Sequence, residues 1–314
     1  MHFGESYLHI HQKRSGTDSD LFRRKSRIRH KNPISKERLD KIRILAFDMD
    51  DTLLDIHGKL SEANRAAIMR AMEKGYHVVI ATGRVLAALP KDVIAVEGVQ
   101  YAITSNGARI TDLHTGKILF ENLIVPEAVD AVDPYLHDED VMLEIFFDDA
   151  VYAQKKDLAR LDYFGRTSEK SQEYVLTTRR PVDDILALLE ANKDRMENIN
   201  LITANEVKRL RWLAELKKVP GITACSSTPN NIEIGGLNVS KADALEELAD
   251  YLGTGKESVM AFGDSSNDEQ MVVRSGVGVA MGNSVPELLD LADYIAPTNA
   301  DDGVAYTREH LLGI

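Results

Sequence analysis

Three aspartates follow directly after a short apolar segment near the start of the chain. Residues 42–47 form that segment, and Asp48, Asp50 and Asp51 come next. On a backbone leaving a strand, Asp48 and Asp50 can face one crevice, where they would supply a nucleophile and an acid or base within reach of one phosphorus. Carboxylates this close repel one another unless a cation lies among them. A hard divalent ion with oxygen ligands, Mg²⁺, is the expected partner.

The elements around these aspartates indicate an α/β fold. Residues 42–47 are typical of a buried parallel strand, Ser61 caps a helix through about Lys74, and residues 76–81 form a second strand, which completes one βαβ unit. The alternation resumes with a helix over 241–252, a strand at 259–262, a helix at 267–274, a strand at 277–281 and a helix from about 284. We therefore predict a doubly wound, Rossmann-like parallel sheet.

The middle of the chain is too long for one more crossover and predicts a second domain. One strand-helix-strand crossover needs about 30–40 residues, and far more lie between Thr82 and Lys241. Mixed strands and helices there, including a hairpin around Thr115-Gly116, favour an inserted α+β domain over residues 112–234. Residues 41–111 and 235–314 then form the catalytic core, and residues 1–40 a basic, poorly ordered extension.

Three further segments place polar groups where open α/β sheets bind ligands, beyond the carboxyl ends of the strands. Thr82-Gly83-Arg84 follows the second strand and is expected to begin a helix, where a phosphoryl oxygen is well received. Lys241 stands at the start of a later helix. Residues 263–268 follow the strand at 259–262 and include Asp264, Asn267 and Asp268.

Together the four segments resemble the motifs of the haloacid dehalogenase (HAD) superfamily of phosphohydrolases. They occur in the family's order, and the resemblance covers about residues 42–314. The long insert between Thr82 and Lys241 is similar to a type C2 cap. Together with residues 104–108 and 280–283, it places the chain nearest the Cof-type branch, subfamily IIB.

The resemblance implies roles for the carboxylates. Asp48 would attack phosphorus and form an aspartyl-phosphate, while Asp50 would protonate the leaving alcohol and then deprotonate the attacking water. Mg²⁺ would be held by the Asp48 carboxylate, the Asp50 backbone carbonyl and Asp264. Asp268 would bind the ion through water or orient its other ligands.

The resemblance also implies which groups hold the phosphate. Thr82, Gly83 and Lys241 would bind phosphoryl oxygens, and Asn267 would orient Lys241 or the phosphate. Stabilisation of the transferring group by such donors dominates phosphoryl transfer.

Four more residues have two interpretations each. Asn106 faces the substrate or only forms a turn that tolerates a positive φ. Arg84 meets substrate or cap, or forms a surface salt bridge. Asp51 adds charge at the mouth of the site or is an exposed loop carboxylate, and Glu233 belongs to the site or is solvated.

Composition narrows the class of protein. The net charge is -12 over 314 residues, and twelve Lys and Arg against five Asp and Glu lie within residues 1–43. The rest of the chain, residues 44–314, is strongly acidic, which disfavours nucleic-acid binding because that requires cations to neutralise phosphates. No apolar stretch is long enough to span a membrane. The single cysteine, Cys225, cannot form an internal disulfide, which favours a cytoplasmic location.

We therefore predict a cytoplasmic, Mg²⁺-dependent phosphatase acting on a small phosphorylated metabolite, a sugar phosphate or a phosphorylated cofactor. A phosphomutase acting on a sugar phosphate and an idle binding protein that keeps the fold are the alternatives. The sequence predicts neither the individual substrate nor the oligomeric state.

Overall fold

Two β-sheets with flanking helices make up the protein in this computed structural model, which describes residues 33–96 and 99–314. The strands are β1 Ile44–Phe47, β2 His77–Ala81, β3 Tyr101–Thr104, β4 Arg109–Asp112, β5 Ile118–Glu121, β6 Met142–Phe147, β7 Ala150–Gln154, β8 Arg179–Val182, β9 Asn198–Ile202, β10 Ile222–Cys225, β11 Asn231–Gly236, β12 Val259–Gly263, β13 Val277–Ala280 and β14 Tyr294–Ile295. The α-helices are α1 Lys36–Asp40, α2 Glu62–Glu73, α3 Lys91–Ile94, α4 Pro126–Val132, α5 Lys155–Leu158, α6 Glu169–Thr178, α7 Ile185–Glu190, α8 Glu206–Leu216, α9 Lys241–Tyr251, α10 Glu269–Arg274, α11 Pro286–Leu291 and α12 Gly303–Leu312.

The large sheet has the order β14-β13-β12-β1-β2-β3-β4-β5, and all of its pairings from β14 to β3 are parallel. Its central strand β1 is buried along its whole length. Apolar side chains of α2 and α12 pack on one face of the sheet, and those of α9 and α10 pack on the other. The predicted α/β class with a parallel-dominated, Rossmann-like sheet is therefore confirmed.

The small sheet has the order β10-β11-β9-β6-β7-β8 and is antiparallel except between β7 and β8. It is built from the segment predicted as the insert, but the boundaries need correction. The hairpin around Thr115-Gly116 joins β4 to β5 in the large sheet, because β4 continues the ladder from β3. At the other end, β11 extends through Gly236, so the small sheet ends two residues later than predicted. That the segment folds as a separate domain stays a prediction.

The predicted basic extension is also too long. Residues 1–32 lie outside the described part of the chain, whereas residues 36–40 form the helix α1 with Ser35 as its N-cap. Arg38 binds the Gly276 carbonyl oxygen and the Asp293 carboxylate. Ile34 and Leu39 pack against the core of the large sheet. These long-range contacts fix a segment whose own sequence has no sustained apolar period.

The strand β6 shows how the small sheet divides its two faces. Leu143, Ile145 and Phe147 contact α4, α7 and α8 within an apolar core. Glu144 and Phe146 alternate with them and face the other way, yet all six residues of β6 are buried. The second face is therefore covered as well, and it carries the polar side chains of Glu144, Asn200 and Glu233.

Several contacts join this polar face to the large sheet. The Ser105 hydroxyl donates to Glu197 at 2.8 Å, and the backbone N–H of Ala87 donates to Asp149 at 2.9 Å. Val85 and Ala88, after β2, pack on Phe146 and Val151 of the small sheet. In the described residues, no helix is both long and apolar enough to cross a membrane.

Candidate active site

Asp48 lies at the carboxyl end of β1, where its backbone N–H donates to the Phe262 carbonyl oxygen of β12 at 3.0 Å. The loop after it turns sharply, because Asp51 adopts a positive φ of 58°. The side chains of the two predicted catalytic aspartates differ in their exposure to solvent. The Asp48 side chain is 8% exposed and the Asp50 side chain 50% exposed. Both line a cavity of about 330 Å³ between the two sheets.

Lys241, the first residue of α9, is the buried cation of this site. Its Nζ donates to Asp48 Oδ1 at 2.6 Å and to Asp268 Oδ1 at 2.7 Å. Burial alone would lower the pKa of the ammonium group, but the carboxylates of Asp268 and Asp48 outweigh it and raise the pKa above its ordinary value. Lys241 therefore stays charged, and Asp48 and Asp268 orient it. Asn267, which the resemblance expects to orient Lys241 or the phosphate, donates to Asn106 instead of contacting Lys241, and its role toward the phosphate stays a prediction.

Asp264 and Asp268 belong to the loop after β12. Asp268 Oδ2 accepts the backbone N–H groups of Asp264 at 3.0 Å and of Ser265 at 3.1 Å. Both of its oxygens are thus engaged, which suits a residue that fixes the loop. Asp264 Oδ1 accepts the hydroxyl of Thr52 at 3.0 Å, and this bond ties the loop after β12 to the loop after β1.

The carboxylates of this site fit a hard divalent cation. Oxygens of Asp48, Asp264 and Asp268 lie within 4.8 Å of one another. Lys241 contacts two of these three carboxylates, and the pKa values of Asp48 and Asp264 are both raised. Burial raises the pKa of Asp48, with Asp268 and Asp264 adding to the shift against the opposing effect of Lys241. Burial and Asp268 raise the pKa of Asp264 to about 7. An added cation would relieve both shifts.

These shifts predict a pH dependence of stability when metal is removed. A carboxyl whose pKa is raised on folding stabilises the native state fully below its unfolded pKa, near 4, and loses that contribution as the pH rises through about 7. In EDTA, we expect the difference in unfolding free energy between wild type and Asp264→Asn to fall as the pH rises from 5 to 7. The slope should approach, at most, about 1.4 kcal/mol per pH unit. Urea unfolding at both pH values measures it, and a difference that does not depend on pH would contradict the assignment.

Arg84 was predicted to contact the substrate or the cap, or to form a surface salt bridge. In the structure it forms a salt bridge with Asp50 and also contacts the small-sheet segment. Its guanidinium forms a bidentate pair with Asp50, with distances of 2.9 Å from Nε to Oδ2 and 2.5 Å from Nη2 to Oδ1. It also stacks over the ring of Tyr174 in α6, 4.4 Å from the ring centroid. The orientation of Asp50 is thereby tied to α6, next to the small sheet.

The sequence predicted that Thr82 and Gly83 begin a helix. In the structure they lie in a loop after β2. The carbonyl oxygens of Thr82 and Arg84 accept from the backbone N–H groups of Asn106 and Ser105. They are therefore not used in a helical ladder, and only a short 3-10 turn forms at Leu86–Ala88. The buried Thr82 hydroxyl accepts the Arg84 N–H at 3.2 Å, which leaves its proton for a ligand oxygen.

A buried chain of amides links Asn267 to Glu233. Asn267 Nδ2 donates to Asn106 Oδ1 at 3.0 Å, and Asn106 Nδ2 donates to Glu233 Oε2 at 2.8 Å. Asn106 has a positive φ of 58° and lies against Gly83, so it is both a turn residue and part of the site. Glu233 is buried and not solvated. Its burial raises the pKa of its carboxyl group.

Gly107 allows the loop after β3 to approach Lys241. Its φ is +110°, and a Cβ there would lie 2.2 Å from the Ser240 carbonyl oxygen. We expect Gly107→Ala to lower the unfolding free energy by at least about 2 kcal/mol, through strain and overlap together. The matched control is Gly116→Ala, at φ +70° with open space around it, which should cost about 1 kcal/mol. Equal losses in urea unfolding would show that the approach to Ser240 is unimportant.

Several residues that line the cavity were not predicted from the sequence. Arg166, Tyr174, Arg179 and Asn200 line it from the small-sheet side. Tyr174, Arg179 and Asn200 belong to a helix or a strand and Arg166 to a loop, and no local signal marks any of them as a site residue. Cys225 contacts Glu233 at 3.8 Å, and burial raises the pKa of its thiol, which suits an unreactive thiol better than a nucleophile.

Comparison with known proteins gives one consistent result. Residues 45–307 match the family model of haloacid dehalogenase-like hydrolases. The chain is 32% identical over 277 residues to the 5-amino-6-(5-phospho-D-ribitylamino)uracil phosphatase YcsE of Bacillus subtilis, an alignment that covers 88% of this chain and 98% of the relative.

Solved structures agree with the family match. A haloacid dehalogenase-like hydrolase from B. subtilis is similar with a TM-score of 0.77 and 28% identity, covering 86% of this chain and all of the other. The HAD subclass IIB sugar phosphatase BT4131 is similar in fold, with a TM-score of 0.72 and 20% identity over 87% of this chain and all of the other.

Proposed function

Since this chain belongs to the haloacid dehalogenase-like hydrolases, in their Cof-type branch, and is a phosphoric monoester hydrolase, we propose that it hydrolyses a small phosphorylated metabolite through an aspartyl-phosphate on Asp48, with Mg²⁺ as its cofactor. One observation carries the proposal. The buried Asp48 carboxylate is held by Lys241 within a cluster of carboxylates, at strand ends that face a 330 Å³ cavity.

Asp48 is the proposed nucleophile because of its position. The buried lysine at 2.6 Å favours the ionised carboxylate against the opposing effect of burial and fixes its direction, which lowers the entropic cost of attack. Attack on phosphorus forms the Asp48–phosphate bond and breaks the bond from phosphorus to the leaving oxygen. Water then attacks phosphorus, releases inorganic phosphate and restores Asp48.

Asp50 is the proposed acid and base. It lines the same cavity and its side chain is half exposed, so it can reach both the leaving alcohol and the attacking water. In the first step it gives a proton to the leaving alcohol, and in the second it takes one from water. The bidentate pair with Arg84 holds its carboxyl group in place and ties it to Tyr174.

Thr82, Gly83, Lys241 and Asn267 are the proposed phosphate-binding residues. The Thr82 hydroxyl lines the cavity and has its proton available, and the ammonium of Lys241 lies 2.6 Å from Asp48 Oδ1. Asn267 is held by Asn106, which Glu233 orients in turn. Donors fixed in advance stabilise the charge on the transferring group without reorganisation.

Asp48, Asp264 and the Asp50 backbone carbonyl are the proposed holders of Mg²⁺. Asp268 supports them, because its own oxygens are already occupied by Lys241 and the loop backbone. The ion would neutralise charge on the phosphoryl oxygens when bound. The excess of carboxylates over Lys241 supports a cation here.

We also propose that residues from about 122 to 236 act as a cap over the site and that the protein works in the cytoplasm. The polar face of the small sheet supports the first proposal, because it borders the cavity. A single cysteine supports the second. The proposed substrate is a sugar phosphate or a phosphorylated cofactor.

Phosphate release from a panel of esters tests the proposal. The panel contains p-nitrophenyl phosphate, several sugar phosphates and 5-amino-6-(5-phospho-D-ribitylamino)uracil, the compound in the name of a 32% identical relative. Each is assayed with Mg²⁺ and with EDTA. Release that needs Mg²⁺ is the expected result. A positional isomer of a sugar phosphate in place of free phosphate would indicate a phosphomutase, and no release from the folded, metal-loaded protein would overturn the proposal.

A further inference from the structure

Arg166 is a cation on the cavity wall that lacks an anionic partner. It lies between the 3-10 turn at Leu161–Phe164 and the helix α6, and its side chain lines the cavity. Its one side-chain hydrogen bond among the described residues is long, 3.5 Å from Nη1 to the Ser171 hydroxyl. Its Nε is buried, and no described residue accepts a hydrogen bond from it.

The nearest acidic groups are engaged elsewhere. Glu144 forms a bidentate pair with Arg179, with distances of 2.7 Å and 2.9 Å, and accepts Asn200 Nδ2 at 3.0 Å. Both oxygens of Glu144 are therefore occupied. Burial opposes ionisation of Glu144, but the charge and hydrogen bonds of Arg179 outweigh this effect, and the pKa of Glu144 is lowered. The negative charge of Glu144 is therefore balanced by Arg179.

Glu233 is the other acidic group near Arg166. It accepts Asn106 Nδ2 at 2.8 Å and the Ser227 hydroxyl at 3.1 Å. Both of its oxygens thus bind neutral donors. Among the described residues, no carboxylate approaches Arg166 closely enough to form an ion pair with it, although two lie in its neighbourhood.

Arg166 stays charged although no described carboxylate pairs with it, because the pKa of a guanidinium is too high for it to lose its proton. A partly buried cation without a counter-ion costs free energy that a bound anion would recover. The transferred phosphoryl group already has Lys241 and Thr82 on the large-sheet side. We propose that the leaving group of the substrate carries a second anionic group, a carboxylate or a further phosphate, which binds Arg166 on the small-sheet side of the cavity. This inference rests on the proposed phosphatase function.

Matched pairs of esters test the inference. Glycerol 3-phosphate is compared with 3-phosphoglycerate, and sorbitol 6-phosphate with 6-phosphogluconate; the second ester of each pair has a carboxylate where the first has a hydroxymethyl group. Fructose 6-phosphate is compared with fructose 1,6-bisphosphate, which adds a phosphate. In at least one pair, we expect kcat/KM for the ester with the second anionic group to exceed that of the ester without it by about tenfold to a hundredfold. Which pair shows the preference distinguishes a carboxylate from a phosphate.

Arg166→Gln should reduce that preference to within about threefold of unity, mainly through KM. Arg166→Lys should retain part of it, because the charge remains. The control is Arg180→Gln, an exposed cation of β8 that stacks on Tyr152, which should keep the preference of the wild type. Thermal unfolding of each variant shows whether it is folded.

Three results would overturn the inference. One is wild-type activity on p-nitrophenyl phosphate without any preference for the anionic esters, which leaves the proposed phosphatase function intact. Another is a preference that survives in folded Arg166→Gln. The third is no Mg²⁺-dependent hydrolysis of any ester, p-nitrophenyl phosphate included, which would remove the proposed function and this inference with it.

Discussion

Asp48→Asn is expected to lower kcat by three orders of magnitude or more on every ester that the protein hydrolyses. An amide is a poor nucleophile, and the proposed mechanism has no second group placed to attack phosphorus. The substitution nearly preserves shape, and the amide oxygen can still accept from Lys241 Nζ at the position that Asp48 Oδ1 occupies. The loss should therefore fall on kcat, with the variant still folded. Phosphate release under saturating substrate and Mg²⁺ measures it.

The matched control for this variant is Asp51→Asn, three residues away in the same loop. Asp51 is exposed and has a positive φ of 58°, a conformation that Asn also tolerates. We expect kcat of this variant to stay within about threefold of wild type. Turnover of purified Asp48→Asn close to that of Asp51→Asn would refute the nucleophile assignment.

Lys241→Met is expected to lower the unfolding free energy by about 3–5 kcal/mol in EDTA. The Lys241 side chain is 1% exposed and is the cation shared by Asp48 and Asp268. Its removal leaves two buried carboxylates facing each other without a counter-charge. Methionine fills a similar volume, so the loss reports mainly the charge. Activity should also be lost, because the same ammonium is proposed to bind the phosphate.

The control for Lys241→Met is Lys256→Met. Lys256 pairs with Glu246 at 3.4 Å, but its side chain is 56% exposed. An exposed ion pair of this kind contributes between about zero and 1 kcal/mol. Urea unfolding of both variants measures the contrast. A loss for Lys241→Met no larger than that for Lys256→Met would show that the buried cluster does not depend on its lysine.

Much of the large sheet and its loops was predictable from local sequence patterns. A fully apolar strand followed by aspartates indicates both a buried parallel strand and a ligand-binding edge. Ser61 caps α2 and Lys241 begins α9, as predicted. Asp48, at a strand end, and Lys241, at a helix start, were expected to meet at one phosphoryl group, and they lie 2.6 Å apart.

The path of the chain after β2 and β3 was not predictable in the same way. The loop at Thr82 looked like a helix start, but backbone N–H groups of Ser105 and Asn106 take its carbonyl oxygens. The hairpin at Thr115-Gly116 looked like part of the insert, yet its strands extend the large sheet. In both cases the deciding hydrogen bonds come from segments that no local pattern identifies as neighbours.

From the sequence alone one could predict which polar side chains gather and at which edge of the sheet, because strands and the loops that follow them can be recognised along the chain. Which charged groups pair with one another became visible in the three-dimensional structure. Arg84 binds Asp50, Glu233 is buried against Asn106, and Arg166 lacks an acidic partner among the described residues. Pairing, burial and pKa depend on distances across the two sheets, and those distances are set by packing and not by spacing along the chain.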